Sequence, residues 1–130
     1  MAKAIHMMVR VRDEAASVDF YGKALGLAVA DRFDFDNFTL VYLRNDEADF
    51  EVELTINKGR ETPYDLGDGY GHIAFVVDNL DEHYFRCQRH GLKPTPIKEL
   101  AVEGLAARFF FIQDPDGYRI EILKRQGRFK

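Results

Sequence analysis

A short strand pattern that begins with a histidine occurs twice in the sequence, and this repeat constrains the fold more than any other feature. The first copy is HMMVRV at residues 6–11, and the second is HIAFVV at residues 72–77. In the second copy, alternation places His72, Ala74 and Val76 on one face of the strand. Each copy leads into a predicted helix. We therefore interpret the chain as two copies of one module.

Length and composition predict a single domain, residues 1–130, located in the cytoplasm. A chain of 130 residues buries roughly two-thirds of the surface that its unfolded form exposes, so a core forms without disulfides. Cys87 is the only cysteine, which fits a reducing compartment. No apolar run approaches the roughly 20 residues that span a bilayer, and no signal-peptide pattern opens the chain. The net charge of -4 argues against nucleic acid or a membrane surface as a partner.

The first module, residues 1–57, is predicted to have the order β-α-β-β-β. After a strand at residues 4–11, Asp13 caps a helix that stops at Gly26. Three further strands are predicted, at residues 27–35, 38–43 and 50–56. A polar, glycine-rich connector at residues 58–71 leads to the second module.

The second module, residues 72–124, is predicted to repeat this order. The sequence NLDE at residues 79–82 resembles a capping box and opens a helix that should end at Gly91. A short strand is predicted at residues 92–97 and a loop at residues 98–106. The sequence DPDG at residues 114–117 is a strong turn signal, so the strands on either side of it are predicted to form a hairpin.

Late in each module a glutamate lies between two branched aliphatic residues, in VEL at residues 52–54 and in IEI at residues 120–122. Two histidines and two glutamates at equivalent places in paired modules can converge on one divalent metal. Imidazole nitrogens and carboxylate oxygens suit Zn²⁺, Ni²⁺, Co²⁺, Mn²⁺ and Fe²⁺. The candidate metal ligands are therefore His6, Glu53, His72 and Glu121.

Two further polar residues lie beside the candidate ligands. Alternation places Arg10 on the His6 face of its strand, and Asn57 continues the Glu53 face. A cation and an amide at these positions would bind an anionic or peptide-like substrate. Taken singly, each of these residues has a simpler explanation. A glutamate among aliphatic residues, for example, usually just lies on the exposed face of a strand. The matched positions in both modules favour the metal site.

Longer stretches of the sequence resemble the glyoxalase I (lactoylglutathione lyase) family of the vicinal oxygen chelate superfamily, in its short bacterial type. The resemblance covers nearly the whole chain and is carried by HMMVRV, SVDFY, VELTIN, YGHIA and DPDGYRIE. It implies an α+β fold of two βαβββ modules, the vicinal oxygen chelate (glyoxalase/bleomycin resistance) fold, in which mixed, curved sheets form a cup.

The resemblance also implies a reaction. In this family the hemithioacetal of methylglyoxal and glutathione is isomerised to S-D-lactoylglutathione, which detoxifies methylglyoxal. One divalent ion, Ni²⁺ or Co²⁺ in preference to Zn²⁺, would be held at each interface site of a homodimer. One chain would supply His6 and Glu53, and the other would supply His72 and Glu121.

Roles for individual residues follow from the same resemblance. Glu121 would be the catalytic base that moves the substrate proton, and Glu53 would be its partner on the opposite side. Arg10 and Asn57 match positions that hold the glutathione moiety. No glycine-rich dinucleotide motif is present, which agrees with an internal isomerisation that uses no nicotinamide or flavin.

Other members of the superfamily remain as alternatives. An acyl-CoA epimerase would have glutamine at the position of Glu53. A second alternative is an enzyme of the same superfamily that acts on a thiol other than glutathione. An extradiol dioxygenase would have a site of two histidines and one carboxylate around Fe²⁺. A metal-free small-molecule binding protein would have no reason to keep four ligands.

Overall fold

The computed structural model describes residues 1–130 and divides them into two compact units. The first unit is Met1–Asp65 and the second is Leu66–Lys130, so the boundary falls inside the predicted connector. Each unit contains one helix and one four-stranded sheet. Neither helix is long and apolar enough to cross a membrane.

The first unit has the predicted order of elements. They are β1 (His6–Arg10), α1 (Glu14–Leu25), β2 (Ala28–Asp34), β3 (Phe38–Arg44) and β4 (Glu51–Asn57). The strand order in the sheet is β1-β4-β3-β2. Strand β1 is parallel to β4, and the other neighbours are antiparallel. The parallel pair is possible because a helix and two strands lie between β1 and β4 in the chain.

Helix α1 begins and ends where the sequence predicts. The Asp13 carboxylate accepts a hydrogen bond of 3.0 Å from the Ala16 backbone amide. Gly26 ends the helix with a φ of 66°, which residues with a Cβ atom rarely adopt. The helix buries Phe20 and Tyr21. The core of this unit also contains the buried aliphatic residues of the sheet, Val9, Val41, Leu43, Val52 and Leu54.

The second unit repeats this topology. Its elements are β5 (Ile73–Val77), α2 (Leu80–Arg89), β6 (Lys98–Val102), β7 (Leu105–Gln113) and β8 (Arg119–Lys124). The strand order is β5-β8-β7-β6, with β5 parallel to β8 and the other neighbours antiparallel. The predicted α+β architecture of two βαβββ modules with mixed sheets is confirmed.

Local hydrogen bonds fix two predicted features of the second unit. The Asn79 side chain caps α2 by accepting a hydrogen bond of 3.1 Å from the Glu82 amide. Between β7 and β8, the Asp114 carboxylate accepts hydrogen bonds of 2.9 Å from the amides of Asp116 and Tyr118. One carboxylate therefore organises the turn that the sequence DPDG predicts.

The strand predicted at residues 92–97 is wrong, and so is the loop predicted at residues 98–106. The structure instead places β6 at Lys98–Val102, paired with β7. Pro94 and Pro96 have no backbone N–H to donate to a sheet, which explains why the strand begins after them. All five residues of β6 are exposed. The strand therefore lacks the buried face on which its recognition from sequence depends.

A glycine in the turn between β6 and β7 generates a stability prediction. Gly104 has a φ of 81°, and a Cβ atom added there would meet no atom within 4 Å. We therefore expect Gly104→Ala to lower the free energy of unfolding by about 1–2 kcal/mol through backbone strain alone. Gly69→Ala is the matched control, since Gly69 is equally open and has no positive φ. Urea denaturation of both variants measures the difference, and equal losses would contradict a strained turn.

Candidate metal centre

In the first unit, His6 and Glu53 contact each other across the parallel strands β1 and β4. The register places Met8 opposite Glu53, and alternation puts His6 on the same face as Met8. The distance between His6 Nε2 and Glu53 Oε2 is 3.0 Å. Glu53 is 8% exposed, so its carboxylate is largely shielded from water. These two residues are called the first pair.

In the second unit, His72 and Glu121 form the second pair in the same way. His72 immediately precedes β5, and the register places Ala74 opposite Glu121 on β8. The distance between His72 Nε2 and Glu121 Oε2 is 2.9 Å. In both units, therefore, the glutamate lies opposite the second residue after the histidine. The structure brings together each histidine with the glutamate of its own module.

A third strand contributes an aromatic residue to each pair. Tyr42 of β3 lies opposite Glu53, donates a hydrogen bond of 2.9 Å from its hydroxyl to Glu53 Oε1, and has its ring 5.9 Å from that of His6. Phe111 of β7 lies opposite Glu121, and its ring is 5.3 Å from that of His72. Both ring pairs have T-shaped geometry.

The sequence patterns described above point to neither Tyr42 nor Phe111. The signal that would have found them is their register, since each lies directly opposite a candidate glutamate. Partial burial, followed by the hydrogen bond to Glu53, raises the pKa of the Tyr42 phenol. The phenol is therefore protonated at neutral pH and is the donor in that bond.

The first unit also brings together the two candidate substrate-binding residues. Arg10 donates a hydrogen bond of 3.0 Å from Nη1 to Asn57 Oδ1, and the Tyr64 hydroxyl donates another of 3.1 Å to the same oxygen. Arg60 stacks over the Tyr64 ring at 4.3 Å. The result is a connected polar surface at the ends of β1 and β4 that carries two guanidinium groups.

The second unit has no counterpart of this polar surface. Val76 occupies the position that corresponds to Arg10, and Arg125 occupies the one that corresponds to Asn57. The Arg125 guanidinium instead lies 2.8 Å from the Asp78 carboxylate. The two units therefore share their histidine and glutamate positions but differ in the groups beside them.

The side chains of the two pairs fit a divalent metal ion by their donor chemistry. Each pair offers one imidazole nitrogen and one carboxylate oxygen, donors that borderline transition metals bind. A shielded carboxylate also requires a cation or a hydrogen-bond donor to compensate its charge. Within the chain, no group of three or more His, Cys, Asp or Glu side chains is placed to hold a metal ion. The four candidate ligands are thus present as two pairs of two donors.

The sequence matches the Glyoxalase/Bleomycin resistance protein/Dioxygenase superfamily over residues 3–122. The lactoylglutathione lyase of Neisseria meningitidis serogroup A is 38% identical over 129 residues, which cover 96% of this chain and 92% of the relative. The lactoylglutathione lyase of Escherichia coli O157:H7 is 33% identical over 129 residues, which cover 95% of this chain and 93% of the relative. This chain belongs to the lactoylglutathione lyase (glyoxalase I) family.

Solved structures agree with this glyoxalase I assignment. The trypanothione-dependent glyoxalase I of Leishmania major superposes with a TM-score of 0.76 at 34% identity, over 95% of this chain and 87% of that one. Glyoxalase I of Zea mays superposes with a TM-score of 0.81 at 29% identity, over 98% of this chain and 45% of that one. The glyoxalase fold predicted from the motifs is confirmed.

The duplicated pairs generate a prediction for metal binding by this glyoxalase I family member. If both pairs bind the same ion, His6→Ala and His72→Ala should each weaken Ni²⁺ affinity by at least about 10-fold, because each removes one nitrogen donor. His90→Ala is the control, since His90 is exposed at the end of α2. Competition with a chelating dye measures the affinities. Loss of affinity in only one of the two variants would contradict a shared ion.

Proposed function

We propose that this protein is a metal-dependent lactoylglutathione lyase that converts the hemithioacetal of methylglyoxal and glutathione to S-D-lactoylglutathione. The observation that carries the proposal is the repeated histidine–glutamate pair, held at 3.0 and 2.9 Å in the same register. Near full-length similarity to bacterial lactoylglutathione lyases supports it. The reaction would detoxify methylglyoxal.

In this proposal the two pairs hold one divalent ion per site. Ni²⁺ and Co²⁺ are the favoured ions and Zn²⁺ is a further candidate, since all three bind imidazole together with carboxylate. When bound, the ion supplies positive charge that stabilises the negative charge developing on the substrate oxygens. The ligands would be His6, Glu53, His72 and Glu121.

We further propose that the protein is a homodimer in which the first pair of one chain meets the second pair of the other. Each unit supplies two donors, half of a four-ligand set. The edge strands support association between chains, because every residue of β2 and of β6 is exposed. Both strands carry large apolar side chains on that exposed surface, which indicates a protein contact. These side chains are Val29, Phe33, Leu100 and Val102.

The chemical step would be a proton transfer between two adjacent carbons of the substrate. Glu121 takes the proton from the carbon that bears sulfur, and the electron pair of the broken C–H bond moves toward the neighbouring carbonyl to give an enediolate. Glu121 then returns the proton to that neighbouring carbon, while the hydroxyl proton on the sulfur-bearing carbon passes to the neighbouring oxygen, which leaves a thioester and a secondary alcohol. One carbon is oxidised and the other is reduced, so no external redox cofactor takes part. Glu53, on the opposite side, would be the partner carboxylate.

The polar surface of the first unit would bind the peptide part of the substrate. Arg10 and Asn57 are joined by a hydrogen bond, and a guanidinium beside an amide matches the carboxylates and peptide groups of glutathione. The thiol is open to test, since the Leishmania major relative is described as trypanothione-dependent. A cytoplasmic location stays a prediction from sequence.

Metal reconstitution tests the proposed function. Metal-stripped protein should regain isomerase activity with methylglyoxal and glutathione, strongly with Ni²⁺ or Co²⁺ and less with Zn²⁺. Parallel assays with trypanothione decide the thiol. Inactivity with every metal and both thiols, despite stoichiometric binding, would overturn the proposal and leave an enzyme that acts on a different thiol or on an acyl-CoA substrate. Failure to bind any metal would point to a small-molecule binding protein.

The proposed base generates a separate prediction. Glu121→Gln should reduce kcat by at least about 100-fold, because the amide cannot accept and return the substrate proton. The matched control is Glu82→Gln, which changes an exposed glutamate in the first turn of α2. Steady-state kinetics at saturating Ni²⁺, with circular dichroism to verify folding, gives the comparison. A kcat near that of the unmodified protein would remove Glu121 from the mechanism.

A further inference from the structure

The two pairs are alike in register and in distance, yet their glutamates have different hydrogen-bond partners. Both oxygens of Glu53 are engaged, since Oε2 lies 3.0 Å from His6 Nε2 and Oε1 accepts the Tyr42 hydroxyl at 2.9 Å. Glu121 contacts His72 Nε2 through Oε2 at 2.9 Å. Its Oε1 accepts no hydrogen bond from the protein.

This difference comes from a single hydroxyl group. Tyr42 and Phe111 occupy corresponding positions, each directly opposite the glutamate of its unit and each with its ring against the histidine of the pair. Residues directly opposite on antiparallel strands have their Cβ atoms about 5 Å apart and their side chains on one face. A hydroxyl on Phe111 would therefore reach Glu121 as that of Tyr42 reaches Glu53.

The surroundings of Phe111 do not replace the missing donor. The Arg119 guanidinium lies over the Phe111 ring, 4.2 Å from its centroid, and it forms no hydrogen bond or ion pair with Glu121. A cation thus covers one face of the Phe111 ring, and the ring also makes a T-shaped contact with the ring of His72. Glu121 is left with the histidine as its only side-chain partner.

The two roles in the proposed reaction place opposite demands on the glutamates. A carboxylate that remains a ligand gains from a fixed second hydrogen bond, because the bond holds its orientation. A carboxylate that collects a proton from one carbon and delivers it to the next must change its contacts during each turnover. A hydrogen bond to a charged carboxylate is worth about 1.5–3 kcal/mol, and that stabilisation would be lost with each movement.

We propose that Tyr42 is a positioning residue that fixes Glu53 as a permanent metal ligand, and that Phe111, which lacks the hydroxyl, leaves Glu121 free to move the substrate proton. The inference rests on the proposed function and deepens it. In this proposal the two units have the same ligand residues, but their glutamates have different roles in the reaction. The residue that lies opposite each glutamate, on the third strand of its unit, determines which of the two roles that glutamate has.

Two exchanges of one hydroxyl test the inference. Tyr42→Phe should weaken Ni²⁺ affinity by about 10-fold, the scale of losing a group that orients a ligand, while kcat at saturating Ni²⁺ stays nearly unchanged. Phe111→Tyr should lower kcat by about 10-fold with little change in KM, because the new hydrogen bond must break in each turnover. Chelator competition and steady-state kinetics provide the two measurements.

The controls make the same chemical exchanges away from the pairs. Tyr84→Phe removes a hydroxyl and Phe85→Tyr adds one, both on α2, and neither should change affinity or kcat. Unchanged Ni²⁺ affinity in Tyr42→Phe would overturn the role of Tyr42, and unchanged kcat in Phe111→Tyr would overturn that of Phe111. If the unmodified protein lacks isomerase activity, the proposed function fails. The affinity comparison then still supports or overturns the positioning role of Tyr42.

Discussion

The candidate metal centre depends on the parallel pairing of the first and last strands in each unit. This pairing joins β1 to β4 and β5 to β8, and so places a histidine and a glutamate from opposite ends of a module on one face. The register is held by the core, because Val52 and Leu54 are buried on either side of Glu53. A slip of one residue would move these aliphatic side chains out of the core and a carboxylate into it. The buried sheet therefore protects the geometry of the ligands.

The two units have the same backbone topology but different side chains around their histidine–glutamate pairs. The corresponding positions are Arg10 and Val76 on the first strands, and Tyr42 and Phe111 on the third. The first unit therefore combines its pair with a guanidinium–amide contact and a phenol, while the second surrounds its pair with apolar and cation–aromatic contacts. Substrate recognition and rigid ligation belong to one unit in this interpretation, and proton movement belongs to the other.

The sequence predicts the repeat well because its signals are local. Asp13 and Gly26 mark α1, Asn79 marks the start of α2, and the DPDG turn marks the last hairpin, each through hydrogen bonds or backbone angles within a few residues. Strand β6 escaped prediction because it is exposed along its length and follows two prolines. Tyr42 escaped because its importance lies in a cross-strand register, which no local pattern contains. The candidate ligands were found only because the same residue types recur at matched places in two modules.

Each histidine–glutamate contact closes within its own unit, at 3.0 Å and 2.9 Å, and this has a thermodynamic consequence. Fixing a glutamate side chain costs roughly 1–2 kcal/mol of conformational entropy. Here most of that cost is met during folding of the unit, before any cation arrives. Because each pair of candidate donors is already ordered, binding of the proposed ion would have to displace only the direct histidine–glutamate contact and would not have to order disordered side chains.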